Sequence, residues 1–330
     1  MTPSRSPLPG RRIGRRPLLA LGAWMLAPHA RAAWPERPVR MVVPFPPGGG
    51  TDALARILAP ELARRWGQQV VVDNRAGAQG NIGTAAVAKA APDGYTLLMA
   101  HQGVFTVNPH LYDKMGVDPL KDFVPVARVT DQPFVLSVHP DFPARSLKEL
   151  VDAARAQPGR ITYASTASGP QMAGELFQIA SGTQLLHVAY KGAGPAVIDA
   201  VAGHVNAIMA SPPGVAPHVR SGKLRGLAVF GKTRIAAMPD VPTALEQGYP
   251  ALAESTEWYG FAVPAGTPAA LVKGLAADFA AVLAQPEMQA ALRAVGLNPS
   301  FAGEDEFARQ IAYDHEQWRR VVKTSGAKAE

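Results

Sequence analysis

Residues 39–56 combine the features that most restrict the fold of this chain. A β-branched apolar run, residues 39–45, ends at two prolines and three glycines, and apolar residues at helical spacing follow from residue 54. This order predicts a strand, a tight loop and a helix that begins near Thr51, with Thr51 or Asp52 as its cap. Glycine permits positive φ and lets a ligand approach the main chain closely. Such a unit is typical of an α/β protein.

The loop in this unit can also bind an anion. Free N–H groups at a helix start carry partial positive charge and attract a carboxylate or a phosphate. One junction of this kind is more often a plain connection than a site. Three further strand-to-helix junctions rich in small residues follow, at residues 74–80, 165–170 and 190–195. Because ligands of open parallel sheets lie outside the carboxyl ends of the strands, four junctions around one cleft predict a small anion clamped between two domains.

The glycine spacing does not support nucleotide binding. Gly77, Gly80 and Gly83 follow the pattern G-x-x-G-x-x-G, which is not the dinucleotide fingerprint G-x-G-x-x-G. The sequence also has no P-loop motif. Nucleotide binding is therefore unsupported, and the residues alone leave the anion open between a carboxylate and a phosphate.

Residues 1–32 have the pattern of a secretory signal peptide. Arginines precede a short apolar run, residues 17–27, and residues 30–32 offer a small-x-small cleavage pattern. The run is too short to span a bilayer, which needs about 20 residues. We expect cleavage before Ala33 and a periplasmic product. Export by the Sec or the twin-arginine route stays open, because residues 15–19 also resemble a twin-arginine signal.

The charge of the chain resides mostly in that leader. Without residues 1–32, 27 lysines and arginines face 26 aspartates and glutamates, so the net charge falls from +7 to +1. A nucleic-acid binder needs a basic surface, so we exclude nucleic acid as a partner. The absence of cysteine rules out disulfides, thiolate catalysis and cysteine-bound metal. No regular spacing of His, Asp and Glu predicts a metal site, and nothing indicates a cofactor.

Strand and helix patterns divide the rest of the chain into two α/β lobes. Two β-type runs, residues 123–129 and 134–138, are broken by Asp131-Gln132-Pro133, where we place the first passage between lobes. A strand at residues 258–263 is the predicted return. The predicted lobes are residues 33–132 with 259–330, and residues 133–258.

Seven ordered blocks of the sequence closely resemble the receptors of tripartite tricarboxylate transporters, also called Bug receptors. The blocks are residues 42–56, 80–84, 92–98, 190–196, 222–229, 239–243 and 263–268. The resemblance implies a periplasmic solute-binding protein of two-lobed Venus-flytrap form, with open mixed sheets flanked by helices. It also implies delivery of a small carboxylate-bearing molecule to a two-component membrane permease.

In that family, carboxylates are bound largely by the loop that corresponds to residues 45–52, partly through waters, and by main-chain and hydroxyl groups of the opposite lobe. The candidate ligand-binding residues are Phe45, Pro47, Gly48, Gly49, Thr51, Asp52, Gly80, Asn81, His101 and Asn108 in the first lobe, and Ser165, Ser168, Gly169, Lys191, Gly192 and Ala193 in the second. Asp52 is better suited to organise the loop than to bind an anion, because like charges repel. Lys191 could supply a cation near the ligand, and His101 could read its distal group.

The chain departs from the family pattern at two places. Ala167-Ser168-Gly169-Pro170 replaces a Gly-x-Gly-Ser segment common in relatives, so a proline ring takes the place of one donor N–H. Asn206 stands where the family commonly has aspartate. We therefore expect the distal end of the ligand to differ from that of relatives.

Two other function classes stay open at this point. An exported α/β enzyme has little support, because the chain has no G-x-S-x-G or H-E-x-x-H motif and its eight histidines are scattered. A sensor that feeds a two-component kinase would use the same closed form as a transport receptor. The identity of the carboxylate also stays open, and so does the oligomeric state, with a monomer as the default.

Overall fold

A computed structural model describes residues 34–253 and 255–328, together with Met1, Thr2 and Ser6. The predicted signal peptide, residues 1–32, lies outside the described residues apart from those three. The protein is an α/β structure in which helices flank a curled mixed sheet of ten strands.

The chain alternates strands and helices from its first strand onward. The elements up to the middle of the chain are β1 (Val39–Val43), α1 (Gly50–Trp66), β2 (Val70–Asn74), α2 (Asn81–Ala88), β3 (Thr96–His101), α3 (Asn108–Leu111), β4 (Phe123–Val138), α4 (Leu147–Ala156), β5 (Thr162–Ser165) and α5 (Ser168–Ser181). The remaining ones are β6 (Leu186–Ala189), α6 (Ala193–Val201), β7 (Ala207–Ala210), α7 (Pro212–Arg220), β8 (Arg225–Phe230), β9 (Thr256–Pro264), α8 (Ala269–Leu283), α9 (Pro286–Ala294), β10 (Pro299–Ala302) and α10 (Glu304–Ser325). A π-helical turn, Gly103–Val107, joins β3 to α3.

Two parallel groups of strands are joined by one long antiparallel pair. The strand order is β2-β1-β3-β9-β4-β7-β5-β6, with β8 and β10 also paired to β4. Strand β1 lies parallel to β2 and β3, and β5 lies parallel to β6 and β7. Strands β4 and β9 run antiparallel to each other between the two groups. The carboxyl ends of both parallel groups, with their loops into helices, border the same cleft.

Strand β4 is continuous, so the predicted break at residues 131–133 is wrong. Its first part pairs with β9, where Pro133 lies opposite Thr256, and its last five residues pair with β7 and β8. Proline is tolerated where a strand changes partners, because no ladder hydrogen bond is required of it there. The predicted lobe bounds fall inside β4 and β9, and the division into lobes stays a prediction.

Separate hydrophobic cores lie in the two parallel groups. The first core surrounds β1, β3 and β9 and includes Met41 and Phe261. The second group is covered on both faces, since Phe134 packs in one cluster and its neighbour Val135 in another. This alternation is the period of two that a strand imposes. Each group therefore has apolar packing of its own beneath the loops that reach the cleft.

In the described part of the chain, no single helix is long and apolar enough to cross a membrane. Helices α8 and α9 together pass the same test of length and composition, but they are bent by 77° at the break between them. Val272, Leu275 and Phe279 of α8 are buried in the first core.

Candidate functional site

The loop between β1 and α1 is held in shape by Asp52. Its buried carboxylate accepts hydrogen bonds from the main-chain N–H of Gly48 (3.0 Å), from Arg56 Nε (3.0 Å) and from Asn74 Nδ2 (3.1 Å). Burial raises the pKa of Asp52, but these partners outweigh it and leave the pKa below its usual value. Asp52 is therefore an anion that is already fully engaged by the loop.

Helix α1 begins differently from the prediction. Gly49 occupies the cap position in extended conformation, and no side chain caps the helix. The N–H groups of a first helical turn have no partner within the helix, so they face outward from the loop. A Cβ at Gly50 would lie 2.6 Å from Tyr259 Oη, and one at Gly49 would lie 3.5 Å from the Ala193 Cβ. Glycine is thus required at 50 because the helix start lies directly against Tyr259.

A cavity of about 30 Å³ lies between the start of α1 and the start of α6, which is room for one or two waters. It is lined by Phe45, Pro46, Gly49, Gly50, Thr51, His101, Thr166, Ala167, Ala193, Ala210, Ser211, Gly214, Glu257 and Tyr259. The two sides touch, since a Cβ at Gly192 would lie 2.8 Å from the Pro46 ring. The described conformation is therefore one in which the cleft is closed down to a small space.

Five of the sixteen candidate residues line this cavity: Phe45, Gly49, Thr51, His101 and Ala193. Gly192 lies against Pro46 beside it. Gly48 and Ala193 also line a neighbouring apolar groove along α6, so the cavity and the groove share an edge. Pro47 and Gly48 are exposed at that edge.

Three candidates stand behind the cavity. Gly80 has φ +96°, and a Cβ there would lie 3.2 Å from Phe45 Cζ. Asn108 Nδ2 donates to Asn81 Oδ1 (2.6 Å) and to the carbonyl of Gln79 (3.1 Å). These residues brace the loop before α2 and the ring of Phe45, and they do not line the cavity.

The remaining candidates, between β5 and the start of α6, divide into two kinds. Ser165 Oγ is 2.8 Å from His187 Nε2, and Lys191 is exposed, so neither lines the cavity. Ser168 Oγ is buried without a hydrogen-bond partner among the described residues. It lies beside Gly103, where a Cβ would be 2.6 Å from it. Ser168 and Gly169 therefore lie directly against the turn that follows β3.

Sequence reasoning missed a buried polar network on the far side of the cavity. Tyr259 Oη donates to Glu257 Oε2 (2.6 Å), and Ser211 Oγ makes a short hydrogen bond to the same oxygen. The two hydroxyl oxygens are 2.9 Å apart. His101 Nε2 lies 2.9 Å from the other oxygen, Glu257 Oε1. Three elements, β3, the start of α7 and β9, supply these side chains.

The orientation of His101 is fixed from both sides of its ring. The main-chain N–H of Gly103 donates to Nδ1 (3.0 Å), so the hydrogen of the neutral ring lies on Nε2, the nitrogen that faces Glu257. The ring stacks on Tyr259 with centroids 5.4 Å apart and contacts Phe45 at 4.6 Å. His101 therefore links the Phe45 loop to the network.

Glu257 is the acid of this network. Burial by itself raises the pKa of Glu257, but the adjacent His101 ring and the hydroxyls of Ser211 and Tyr259 bring it below its usual value. The same burial and the Glu257 carboxylate raise the pKa of Tyr259 well above its usual value. Glu257 is thus an anion, while Tyr259 keeps its proton and donates it.

Local signals for this network exist but are weak. Glu257 directly precedes the apolar run that predicted the return strand. A charged side chain in a buried strand is costly unless it is paired, so its presence indicates a partner or a function. Ser211 opens a fifth strand-to-helix junction, between β7 and α7. Among residues 34–253 and 255–328, no group of three His, Asp or Glu side chains could hold a metal ion.

The sequence profile of the tripartite tricarboxylate transporter family receptor matches residues 54–327. The chain belongs to this family. Protein BugT of Bordetella pertussis (strain Tohama I) is 40% identical to it over 309 residues, which cover 93% of this chain and 94% of BugT. The resemblance predicted from the seven blocks is confirmed. The family is one of periplasmic solute-binding receptors.

Solved structures of relatives share the fold. The periplasmic binding protein BugD superposes with a TM-score of 0.84 at 34% identity, over 90% of this chain and 100% of that one. Rpa4515 of R. palustris, solved with adipate, has a TM-score of 0.86 at 35% identity, over 89% of this chain and 98% of that one. The predicted α/β architecture of periplasmic-binding-protein type is confirmed.

Proposed function

We propose that this family member is a periplasmic receptor that captures a small carboxylate-bearing molecule in the cleft between its two lobes and delivers it to a two-component membrane permease. The observation that carries the proposal is the start of α1, where Gly49 and Thr51 line the cavity and the first-turn N–H groups are free of helical partners. Such a helix start binds a carboxylate without any charged side chain. The adipate bound to Rpa4515 is a small carboxylate of this kind.

Asp52 supports the proposal because it makes the loop rigid before any ligand arrives. Its three hydrogen bonds fix the path of residues 48–52 and keep its own charge inside the loop. A preformed set of donors binds more tightly than a set that must be ordered on binding. The start of α6 at Ala193 completes the site from the second lobe.

Carboxylate capture is tested by a thermal-shift screen of residues 33–330, freed of prebound ligand by unfolding and refolding, against small acids and their amides. A ligand at a hundredfold excess over its Kd should add ~2.7 kcal/mol of stability. We expect a shift with an acid and none with its amide. Gly49→Pro removes one donor N–H and should abolish the shift. Gly303→Pro is the matched control, because Gly303 also caps a helix in extended conformation and has nothing within 4 Å of a Cβ.

Failure of every acid across a broad panel would overturn this proposal. Recovery of a chemically altered ligand would instead identify an enzyme.

Co-purification with membrane proteins distinguishes the two receptor roles, because a transport receptor co-purifies with a permease and a sensor co-purifies with a kinase. Intact mass of the exported protein tests the predicted cleavage before Ala33.

A further inference from the structure

A second pocket lies on the opposite face of the β4–β9 pair from the cavity described above. Successive residues of a strand point to opposite faces of its sheet. Glu257 and Tyr259 of β9 border the cavity, whereas Thr256 and its partner on β4, Pro133, line this second space, the rear pocket. The two strands that join the parallel groups therefore separate the rear pocket from the cavity.

The rear pocket has a volume of about 450 Å³, against about 30 Å³ for the cavity. One side of it is the loop after β8, residues 231–236, and the other is the end of α9 with the loop to β10, residues 293–298. The second side is tied to β4, because the main-chain N–H of Asp131 donates to the carbonyl of Asn298 (3.0 Å). Small-molecule sites commonly have volumes of about 300–1,000 Å³, so the rear pocket has the size of one.

Positive charge prevails around the rear pocket. Lys232, Arg234 and Arg293 line it, and Asp131 is the only acid among the described residues that do so. Glu246 accepts hydrogen bonds from Arg234 Nε with both carboxylate oxygens (3.1 Å each) and holds that guanidinium in place. Arg293 is exposed, bonds only a glutamine one turn earlier in α9 (3.3 Å) and has no carboxylate partner among the described residues. Arg293 is therefore available to an anion that enters the pocket.

Asp131 does not reverse this charge balance. Burial raises the pKa of Asp131, although the Thr256 hydroxyl and the nearby Arg128 act in the opposite direction. Burial thus disfavours the ionised form of this acid. Even with Asp131 and Glu246 both ionised, the three cations exceed the two acids among the described residues.

The loop after β8 adds main-chain donors to the charges. Residues 233–236 line the rear pocket, and none of their N–H groups donates a hydrogen bond to a described residue. Successive main-chain N–H groups without partners can bind an anion. The Thr233 hydroxyl lies on the same loop. Donors are thus present on both sides of the pocket, from the loop and from Arg293.

We propose that the rear pocket is a second binding site, which takes a small organic phosphate, and that Arg293 and the loop of residues 232–236 bind the phosphate group. A phosphate dianion has three oxygens to share between a guanidinium and main-chain N–H groups, and arginine binds phosphate through two parallel hydrogen bonds. The volume leaves room for an organic part beside the phosphate. The proposal is independent of carboxylate capture, because no residue that lines the rear pocket also lines the cavity.

Calorimetry on the refolded wild-type protein at constant ionic strength tests the site. The probes are glycerol 3-phosphate, glycerate and sulfate. We expect one glycerol 3-phosphate per chain, bound about tenfold or more tightly than glycerate, which has one charge and one fewer acceptor oxygen. It should also bind more tightly than sulfate, which lacks the organic part. No binding at about 10 mM, or equal binding of glycerate or sulfate, would overturn the proposal.

Arg293→Gln assigns the binding to one side chain. It should weaken glycerol 3-phosphate about tenfold, and because the side chain is exposed the fold should be retained. Arg309→Gln is the matched control, since Arg309 is also an exposed arginine of a helix, and it should leave the affinity unchanged. Unchanged affinity in Arg293→Gln, or an equal loss in both variants, would refute the assignment.

Gly49→Pro separates the rear pocket from the cavity, because the start of α1 also attracts anions. This variant removes a donor N–H from the cavity alone, so it should lose acid capture and keep the affinity for glycerol 3-phosphate. Loss of glycerol 3-phosphate in Gly49→Pro would place the phosphate in the cavity and overturn the proposal. Failure of every carboxylic acid would leave the rear pocket unaffected.

Discussion

The two walls of the cleft are built by different means. The wall around α1 uses main-chain groups of one continuous loop, and its only acid, Asp52, is turned inward. The opposite wall uses side chains from three separate elements, assembled around the buried carboxylate of Glu257. In the proposed function, the main-chain wall binds the carboxylate and the side-chain wall borders the rest of the ligand.

The largest effect is expected where the two walls meet. Gly50→Ala places a methyl group 2.6 Å from Tyr259 Oη, and Tyr259 cannot move freely because it is hydrogen-bonded to Glu257. Overpacking of this kind costs about 1–3 kcal/mol, so closure and ligand affinity should fall by up to about a hundredfold. Calorimetry checks the affinity.

Gly274→Ala is the matched control, since it also adds a methyl group to a helix but has nothing within 4 Å. It should leave binding unchanged and stabilise the fold by about 1 kcal/mol. Unchanged affinity in Gly50→Ala would mean that the walls do not close on each other in the bound state.

Asp52→Asn disrupts only the loop before α1, which forms the main-chain wall. Loss of charge-assisted hydrogen bonds to Gly48 and Arg56 should cost about 2 kcal/mol of stability at neutral pH. The folded-state pKa of Asp52 is depressed, so its contribution is present above the unfolded pKa and is lost as pH falls through the folded pKa. Melting curves of both proteins should therefore begin to converge only below about pH 4, and meet below the folded pKa. A constant difference down to strong acid would contradict this.

Asp314 contacts β9 beside Glu257, the acid of the side-chain wall. It accepts a hydrogen bond from Trp258 Nε1 (2.7 Å), and burial raises its pKa to about 6. The folded state therefore retains a proton that the unfolded state loses, and the stability of the wild type should fall as pH rises from about 4 to 6. Asp314→Asn should make this slope clearly shallower and be more stable by about 1–2 kcal/mol at pH 7, while Asp131 and Glu175, whose pKa values burial also raises, keep part of it.

Denaturant titrations at several pH values measure the slope. Asp240→Asn, at an exposed carboxyl group, serves as the control and should keep it. An unchanged slope in Asp314→Asn would assign the titration to another group.

The smallest effect is expected at Lys191, which is exposed and does not line the cavity. Lys191→Ala should change stability by no more than about 0.5 kcal/mol and affinity by less than about twofold. This result would show that Lys191 does not contact the ligand. A loss of tenfold or more would show that the lysine reaches the ligand and that a third group takes part.

Prediction from sequence succeeded where the cause is local. The loop before α1 is determined by prolines and glycines whose φ values and missing side chains act within a few residues. Phe45, Gly49 and Thr51 could therefore be placed at the cavity. The predicted cap of α1 was wrong by two or three residues, because Gly49 is the cap and Asp52 binds Gly48, Arg56 and Asn74 instead. The break at Pro133 was wrong because a change of strand partner is invisible in the sequence.

The sequence by itself determined the α/β class, the family and the main-chain wall of the cleft, since each of these depends on short segments whose residues act on their own backbone. Only the tertiary structure decided the second wall. His101, Ser211 and Glu257 are far apart in the chain, and each taken alone is an ordinary buried polar residue. They become one buried network because the antiparallel pair of β4 and β9 brings the ends of both parallel groups together around the Glu257 carboxylate.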